Sequence, residues 1–302
     1  MRDVGAEAIA KKGWLLAHKW LILRRLVQFG LLALFLLGPL AGIWIIKGNL
    51  NYSLTLGVLP LTDPYVMLQS MLTGHIPESK GLIGLAIVLL FYALIGGRVF
   101  CSWVCPINPV TDAASWLRRR LNIKGGTHLS RDTRYWILGM SVILSALGGS
   151  IAWEWINPVS MLHRGLLFGM GATWMIVLGI FLLELFVTGW CGRLCPVGAF
   201  YKLLGHFSLL RISATTRAAC NDCMDCFDVC PEPQVIRPVL KGGEKGIGPL
   251  ILDANCTNCG RCIDVCSKDV FIFDQRFNNS VPNRINFTSH AAASTHAKNP
   301  SN

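Results

Sequence analysis

Charge is scarce in this chain, and negative charge most of all. Of 302 residues only 15% are Asp, Glu, Lys or Arg, and 17 acids stand against 28 bases. So little charge beside 52% hydrophobic residues argues against a wholly soluble protein. The phosphate-cradling loops are missing as well, with neither GxxxxGK[ST] nor GxGxxG behind a strand. No CxxCH is present for covalent haem and no GxSxG for a serine nucleophile. These absences exclude nucleotide-driven work, dinucleotide hydride transfer, c-type haem and serine acyl transfer. The surplus of +11 does not indicate nucleic acid, because the bases sit in blocks beside apolar runs and form no stripe interleaved with aromatics.

What is abundant is cysteine in ordered spacing. Cys220-x2-Cys223-x2-Cys226-x3-Cys230-Pro231 is followed by Cys256-x2-Cys259-x2-Cys262-x3-Cys266, with Ser267 where the first run has proline. Three thiolates from a tight C-x2-C-x2-C loop and a fourth from a more distant cysteine make the ligand set of a [4Fe–4S] cubane. In two-cluster ferredoxins the fourth cysteine of each run serves the other cluster. The expected sets are therefore Cys220, Cys223, Cys226 and Cys266 for one cluster, and Cys256, Cys259, Cys262 and Cys230 for the other. Zinc sites instead show two separated C-x2-C pairs. Disulfides would need an oxidising compartment, which the topology below argues against.

Four apolar stretches, residues 26–46, 82–100, 136–153 and 171–190, approach the ~20 residues that a bilayer span requires. Trp44, Trp136, Trp153, Trp155 and Trp190 fall near their ends, as interfacial anchors do. The segment before the first span is basic and amphipathic (Arg2, Lys11, Lys12, Lys19, Arg24, Arg25), and the apolar run behind it is too long for a signal-peptide core. Arg118, Arg119, Arg120, Lys124, Arg131 and Arg134 crowd the central connection. The other two connections carry only Lys47 and Lys80, and only Arg164. The positive-inside rule then puts both termini and the cysteine ladder in the cytoplasm.

The spans also repeat. Asp63-Pro64-Tyr65-Val66-Met67-Leu68 echoes Asn157-Pro158-Val159-Ser160-Met161-Leu162. Each is followed by a span and then Cys-x3-Cys-Pro: Cys101, Cys105 and Pro106, later Cys191, Cys195 and Pro196. A parallel duplication would bring the four membrane-side cysteines to one place. There they can hold a further metal or cluster, exchange thiol and disulfide, shape an electron entry point, or simply pack a crowded helix end. Glu184, the one acid deep in a span, is expected to face the bundle interior and can take a proton, for instance from a quinol. Asp63, Glu154 and His163 in the outer connections are further candidates to line such a site. Arg98 and Arg193 flank the motifs.

The fold expected is an α-helical membrane protein of four transmembrane helices with internal duplication, carrying a small C-terminal α+β two-cluster ferredoxin-like domain. Residues 1–25 form a cytoplasmic N-terminal segment, 26–200 the membrane domain, 201–277 the ferredoxin-like domain, and 278–302 a flexible tail. An amphipathic stretch over 200–210 is expected to run along the membrane surface. Short strands are expected around the glycines of 234–252, and another at 271–273.

The duplicated Cys101-Ser-Trp-Val-Cys105-Pro106 and Cys191-Gly-Arg-Leu-Cys195-Pro196, the four spans and the twin ladder resemble the NapH family over nearly the whole chain. Val110-Thr111-Asp112 followed by Trp116-Leu117-Arg118 strengthens the likeness. The resemblance implies a quinol dehydrogenase subunit of the bacterial inner membrane, drawing on the lipid-borne quinol pool. It further implies a periplasmic NapG-like ferredoxin partner and the downstream cytochromes of periplasmic nitrate reductase. A different class of role, maturation or repair of a periplasmic metalloenzyme with the motif thiols as the reactive centre, stands beside it.

Overall fold

The computed structural model describes residues 3–123, 129–169, 171–187 and 189–277. The tail expected at 278–302 lies outside the described residues. The chain opens with α1 (Ala6–Lys12), α2 (Trp14–Ala17) and the long α3 (Lys19–Ala41). Strands β1 (Ile46–Gly48), β2 (Tyr52–Thr55) and β3 (Leu59–Thr62) then form an antiparallel sheet in sequence order. Helices α4 (Pro64–Leu72) and α5 (Ser79–Ile95), a π turn over Phe100–Val104 and α6 (Asn108–Arg120) complete the first half. The second half repeats the order: α7 (Thr133–Gly148), α8 (Pro158–Phe168), α9 (Gly171–Phe186), a π turn over Trp190–Leu194 and α10 (Pro196–Leu204).

Local chemistry explains the repetition. Asp63 is extended (φ −64°, ψ 122°), and its carboxylate accepts from the N–H groups of Tyr65 and Val66, so α4 begins on a side-chain cap with Pro64 in the first turn. Asn157 (φ −67°, ψ 107°) does the same for α8, accepting from Val159 N–H ahead of Pro158. The residue before a proline is pushed to extended backbone, and Cys105 and Cys195 both end their π turns that way, at ψ 120° and 116°. Each Cys-x3-Cys-Pro motif is thus one wide turn with a cysteine at either end, stopped by the proline.

Helices occupy all four apolar stretches, but their lengths differ from the expectation. Among the described residues only α3, at 23 residues, is both long and apolar enough to cross a membrane. The 17 residues of α5 rise about 25 Å at about 1.5 Å each, short of a hydrocarbon core of about 30 Å. Positive-φ glycines are the physical cause: Gly96 (φ 149°) and Gly189 (φ 92°) stop regular winding before the π turns.

In the C-terminal part β4 (Leu210–Ser213) pairs antiparallel with β5 (Ile272–Gln275), Ile212 opposite Phe273. Helices α11 (Asp225–Val229), α12 (Ile236–Lys241) and α13 (Arg261–Asp264) lie between them in sequence. Of the strands expected over 234–252 a single antiparallel bridge between Leu250 and Ser213 is present, and α12 and short 3-10 turns occupy the rest. Ile236, Val239 and Leu240 are all buried, which is helical spacing, and Pro238 is tolerated in a first turn. The strand expected at 271–273 is present as β5, starting one residue later and ending two residues later. Residues 200–210 are two-faced, with Leu203, Phe207 and Leu209 exposed and the other side packed inward. Tyr201 is 1% exposed, stacked on Phe100 at 5.0 Å and set against Tyr92 at 5.1 Å.

The N-terminal segment has a task the sequence did not disclose. α1 straps the ferredoxin-like part: Gly5 N–H donates to Asp225, Lys11 Nζ to the Ser267 carbonyl, and Lys12 Nζ pairs with Asp269 at 2.5 Å. Ser267, standing where the other run has proline, donates its hydroxyl to Glu7.

Candidate iron–sulfur and thiol sites

The two cysteine runs coil alike. In the first loop Asp222 (φ 58°) and Met224 (φ 66°) are left-handed; the matching residues of the second, Asn258 (φ 48°) and Gly260 (φ 73°), are left-handed too. Cys220 Sγ sits 3.5 Å from Asp222 Oδ1, as Cys256 Sγ does from Asn258 Oδ1. Each coil wraps a void. Cys220, Cys223, Cys226 and Cys266 line one cavity of about 360 Å³, closed by Leu240, Val270 and Phe271. Cys230, Cys256, Cys259 and Cys262 line another of about 330 Å³, against Ile212, Val235 and Ile251.

This geometry fits cubane clusters. Four sulfurs surround each void, and the remaining walls are largely apolar core in which a bare thiol has few partners. Among the described residues no three His, Cys, Asp or Glu side chains converge tightly enough for a single metal ion. Donors that stand off around a volume suit a cluster better than a lone zinc.

The motif cysteines of the two halves meet at a third cavity of about 560 Å³. Cys101, Cys105, Cys191 and Cys195 line it together with Asp63 and Asn157, the caps of α4 and α8. Trp153, Phe100, Ile107 and Trp190 are the bulky members of the remaining wall, which also includes Asn51. Asp63 Oδ2 accepts from Tyr201 Oη at 2.9 Å, across 138 residues of sequence. Behind Asn157, Glu154 Oε2 accepts from Asn51 Nδ2 at 2.7 Å and from Asn157 Nδ2 at 3.3 Å. His163 stands apart from this wall, buried edge-on to Phe35.

A larger polar cavity, about 1220 Å³, joins the thiol cavity to the ladder. Cys101 and Cys191 border it on one side and Cys230 on the other, with Arg98, Arg193 and Arg261 between. Glu184 lines this polar cavity. Its Oε2 accepts from the N–H groups of Gly189 (3.0 Å) and Trp190 (2.7 Å), and its Oε1 from Ser115 Oγ (3.1 Å). Three donors fix the carboxylate as the brace of the second π turn.

Arg98 ties the two parts of the molecule together. It donates to Glu232 Oε1 (2.7 Å), to the Asn255 carbonyl (2.8 Å) and to the Cys191 carbonyl (3.2 Å). Glu232 lies two residues beyond Cys230 and Asn255 immediately precedes Cys256. Burial alone would raise the Glu232 carboxyl, but the Arg98 charge, a hydrogen bond from Gln234 and the Arg134 charge outweigh it and hold the pKa below the ordinary range. Ser102 Oγ donates to the Thr257 carbonyl (2.7 Å) and Trp103 Nε1 to that of Asn258 (3.0 Å). The second cluster loop therefore rests directly on the first Cys-x3-Cys-Pro turn. Asn157, Tyr201 and Glu232 were not picked out from the sequence. For Asn157 the signal existed, since it sits opposite Asp63 in the repeat.

Comparison with known proteins agrees with this architecture. One family model, described as a 4Fe-4S binding domain, matches twice, at residues 80–124 and 166–213, once over each motif. A second, described as a 4Fe-4S dicluster domain, matches residues 219–270. The methylamine utilization ferredoxin-type protein MauN of Methylorubrum extorquens is 50% identical over 90% of this chain and 94% of its own length. MauN of Paracoccus denitrificans is 53% identical over 83% of this chain and 88% of its own. The ferredoxin-type protein NapH of Escherichia coli is 48% identical over 91% of this chain and 96% of its own. No solved structure matches the chain. With its dicluster module, its doubled thiol turns and near-full-length likeness to these relatives, the chain belongs to the NapH and MauN family of ferredoxin-type iron–sulfur proteins.

Proposed function

We propose that the chain is a membrane-bound quinol dehydrogenase subunit that oxidises quinol in its helical part and hands electrons on one at a time. One observation carries this reading. The cap residues of the outer connections, Asp63 and Asn157, and the four motif cysteines share one cavity, and Cys101 and Cys191 also border the polar cavity reaching Cys230. The two cavities, which share Cys101 and Cys191, run from the caps of α4 and α8 to Cys230. That supports an electron path between cytoplasmic clusters and a periplasmic acceptor.

In this reading Cys220, Cys223, Cys226 and Cys266 hold one [4Fe–4S] cluster, and Cys256, Cys259, Cys262 and Cys230 the other. Bound clusters supply one-electron storage at a potential set by their surroundings. Cys101, Cys105, Cys191 and Cys195 form the reactive lining next to the substrate. Glu184 keeps the second motif in shape.

Four membrane spans with both termini inside remain part of the proposal. Leu26 and Phe29 on α3, Leu90 and Phe91 on α5, Met140 and Leu147 on α7, and Met175 and Leu178 on α9 are all exposed, an apolar belt that lipid would cover. The partner proposed is a NapG-like periplasmic ferredoxin subunit feeding the cytochromes of a nitrate reductase, as the resemblance to the NapH family implies. Anaerobic mixing of the purified protein with decylubiquinol or menadiol tests the reading, with cluster reduction followed by absorbance and electron paramagnetic resonance. Clusters that stay oxidised with the partner present would overturn it.

In a second reading the same chain delivers reducing equivalents for maturation of a periplasmic enzyme; the MauN relatives are named for methylamine utilization. Cys101→Ser and Cys191→Ser distinguish the two. Intact reduction by quinol with a misassembled target enzyme supports maturation, and lost reduction by quinol supports dehydrogenase action.

A further inference from the structure

Resting on the quinol-oxidation reading, we infer that the quinol headgroup binds in the thiol-lined cavity and that Asp63 is the catalytic proton acceptor. As it stands the cavity holds free room of about 30 Å³, so a headgroup would part its walls on entering, and apolar walls with a few placed polar groups suit an aromatic diol. Phe100, Ile107, Trp153 and Trp190 offer ring-sized apolar contact. Three polar side chains interrupt that wall away from the cysteines: Asn51, whose Nδ2 is spent on Glu154, and the caps Asp63 and Asn157, one from each half.

Their hydrogen bonds show which can take a proton. Asp63 Oδ1 is occupied by the Tyr65 and Val66 N–H groups, while Oδ2 accepts only from Tyr201 and keeps a lone pair. Asn157 cannot accept a proton at neutral pH; its Oδ1 accepts from Val159 N–H, so its part is to position a hydroxyl. Tyr201, held in the aromatic stack with Tyr92 and Phe100, is a positioning residue that fixes the Asp63 carboxylate.

The step balances. One quinol O–H bond breaks and its proton goes to Asp63 Oδ2. Clusters held by Cys230, Cys256, Cys259 and Cys262 and by Cys220, Cys223, Cys226 and Cys266 would supply the one-electron acceptors for the two electrons released as both ring C–O bonds become C=O. The second proton follows once Asp63 has discharged toward Glu154. That carboxylate is held by Asn51 and by Arg164 (3.0 Å) beside an open surface pocket lined by Ile151 and Trp155.

The test uses the full-length protein in lipid nanodiscs, with anaerobic stopped-flow reduction by decylubiquinol and a dithionite control. Asn caps a helix as well as Asp does, so Asp63→Asn should fold and load normally. We expect Asp63→Asn to slow reduction by quinol at least about 100-fold and to abolish its rise with pH. Asp63→Glu should restore part of the rate, Tyr201→Phe should shift the pH profile, and reduction by dithionite should be unchanged throughout. An azidoquinone photolabel should fall on peptides containing Trp153–Val159 or Phe100–Ile107. Labelling elsewhere, a wild-type rate in Asp63→Asn, or about twelve irons per chain rather than about eight would overturn this placement alone, the last because a cluster would fill the cavity. A wild-type protein that quinol does not reduce would instead sink the reading beneath it.

Discussion

Arg98 Nη1 lies 2.7 Å from Glu232 Oε1, and the two side chains are 0% and 3% exposed. This buried pair is the joint between the helical part and the cluster-bearing part, since Arg98 follows α5 and Glu232 follows Cys230. Removing one member of such a pair strands the other without water, at a cost of about 3–5 kcal/mol. Arg98 also supports the Asn255 and Cys191 carbonyls, so Arg98→Met should cost more than Glu232→Gln. The expected outcome in both is a lower thermal midpoint and slower reduction of the clusters by quinol, with reduction by dithionite retained. Equal rates with quinol would show that the joint does not align the electron path.

Two carboxylates at the joint predict acid sensitivity. Burial raises the Asp112 carboxyl, yet Arg261, Arg24 and Arg25 outweigh it and hold it below the ordinary range, as Arg98 does for Glu232. A carboxylate depressed in the folded state contributes stability above its ordinary pKa of about 4. That contribution is lost as pH falls through the folded value. The midpoint should therefore hold from pH 7 to about pH 5 and fall steeply below about pH 4. Asp112→Asn and Glu232→Gln should each be less stable at pH 7 and show a shallower acid fall. An acid limb of unchanged slope in both variants would place the sensitivity elsewhere.

How far the sequence could be read depends on separation along the chain. The cysteine ladder was legible because a cluster loop is local, with three ligands inside seven residues. The apolar stretches were legible by hydropathy, but their lengths were not. Gly96 and Gly189 cut α5 and α9 short of the π turns, which no apolar count registers. Tyr201 reads as one aromatic on an amphipathic stretch, because its partner Asp63 is 138 residues away. Glu184 was picked out for its burial, and the structure adds why it is tolerated there: two backbone N–H groups and a serine hydroxyl satisfy it.

Which cysteines share a cluster is testable by pairing substitutions. Cys230 belongs by sequence to the first run but lines the cavity of Cys256, Cys259 and Cys262. Cys230→Ser should lower iron from about eight toward about four per chain. Adding Cys256→Ser should remove little more, whereas adding Cys220→Ser should remove the rest, because independent sites add and shared ones do not. Iron and acid-labile sulfide measured on the three preparations decide it. If the Cys230 and Cys256 losses simply add, each run holds its own cluster and the crossed pairing is wrong.

The two cluster loops differ at one matched position, and that difference should set their tolerance to substitution. Gly260 and Met224 are both left-handed, at φ 73° and 66°. Met224 is 45% exposed, whereas a Cβ on Gly260 would stand 2.6 Å from Trp20 Cγ. Trp20 cannot retreat easily, because its backbone N–H donates to Asp264 Oδ1 (3.1 Å) while Leu21 N–H donates to Oδ2 (2.9 Å), seating α3 on α13. Gly260→Ala therefore adds left-handed strain of about 1–2 kcal/mol to an overpacking cost of about 1–3 kcal/mol. Met224→Gly removes strain of the first kind and creates no clash, so the same backbone position should give opposite signs in the two loops. Thermal midpoints of the iron-loaded protein, measured in one lipid, read both variants directly. A Gly260→Ala protein as stable as the parent would mean that α3 does not press on the second loop.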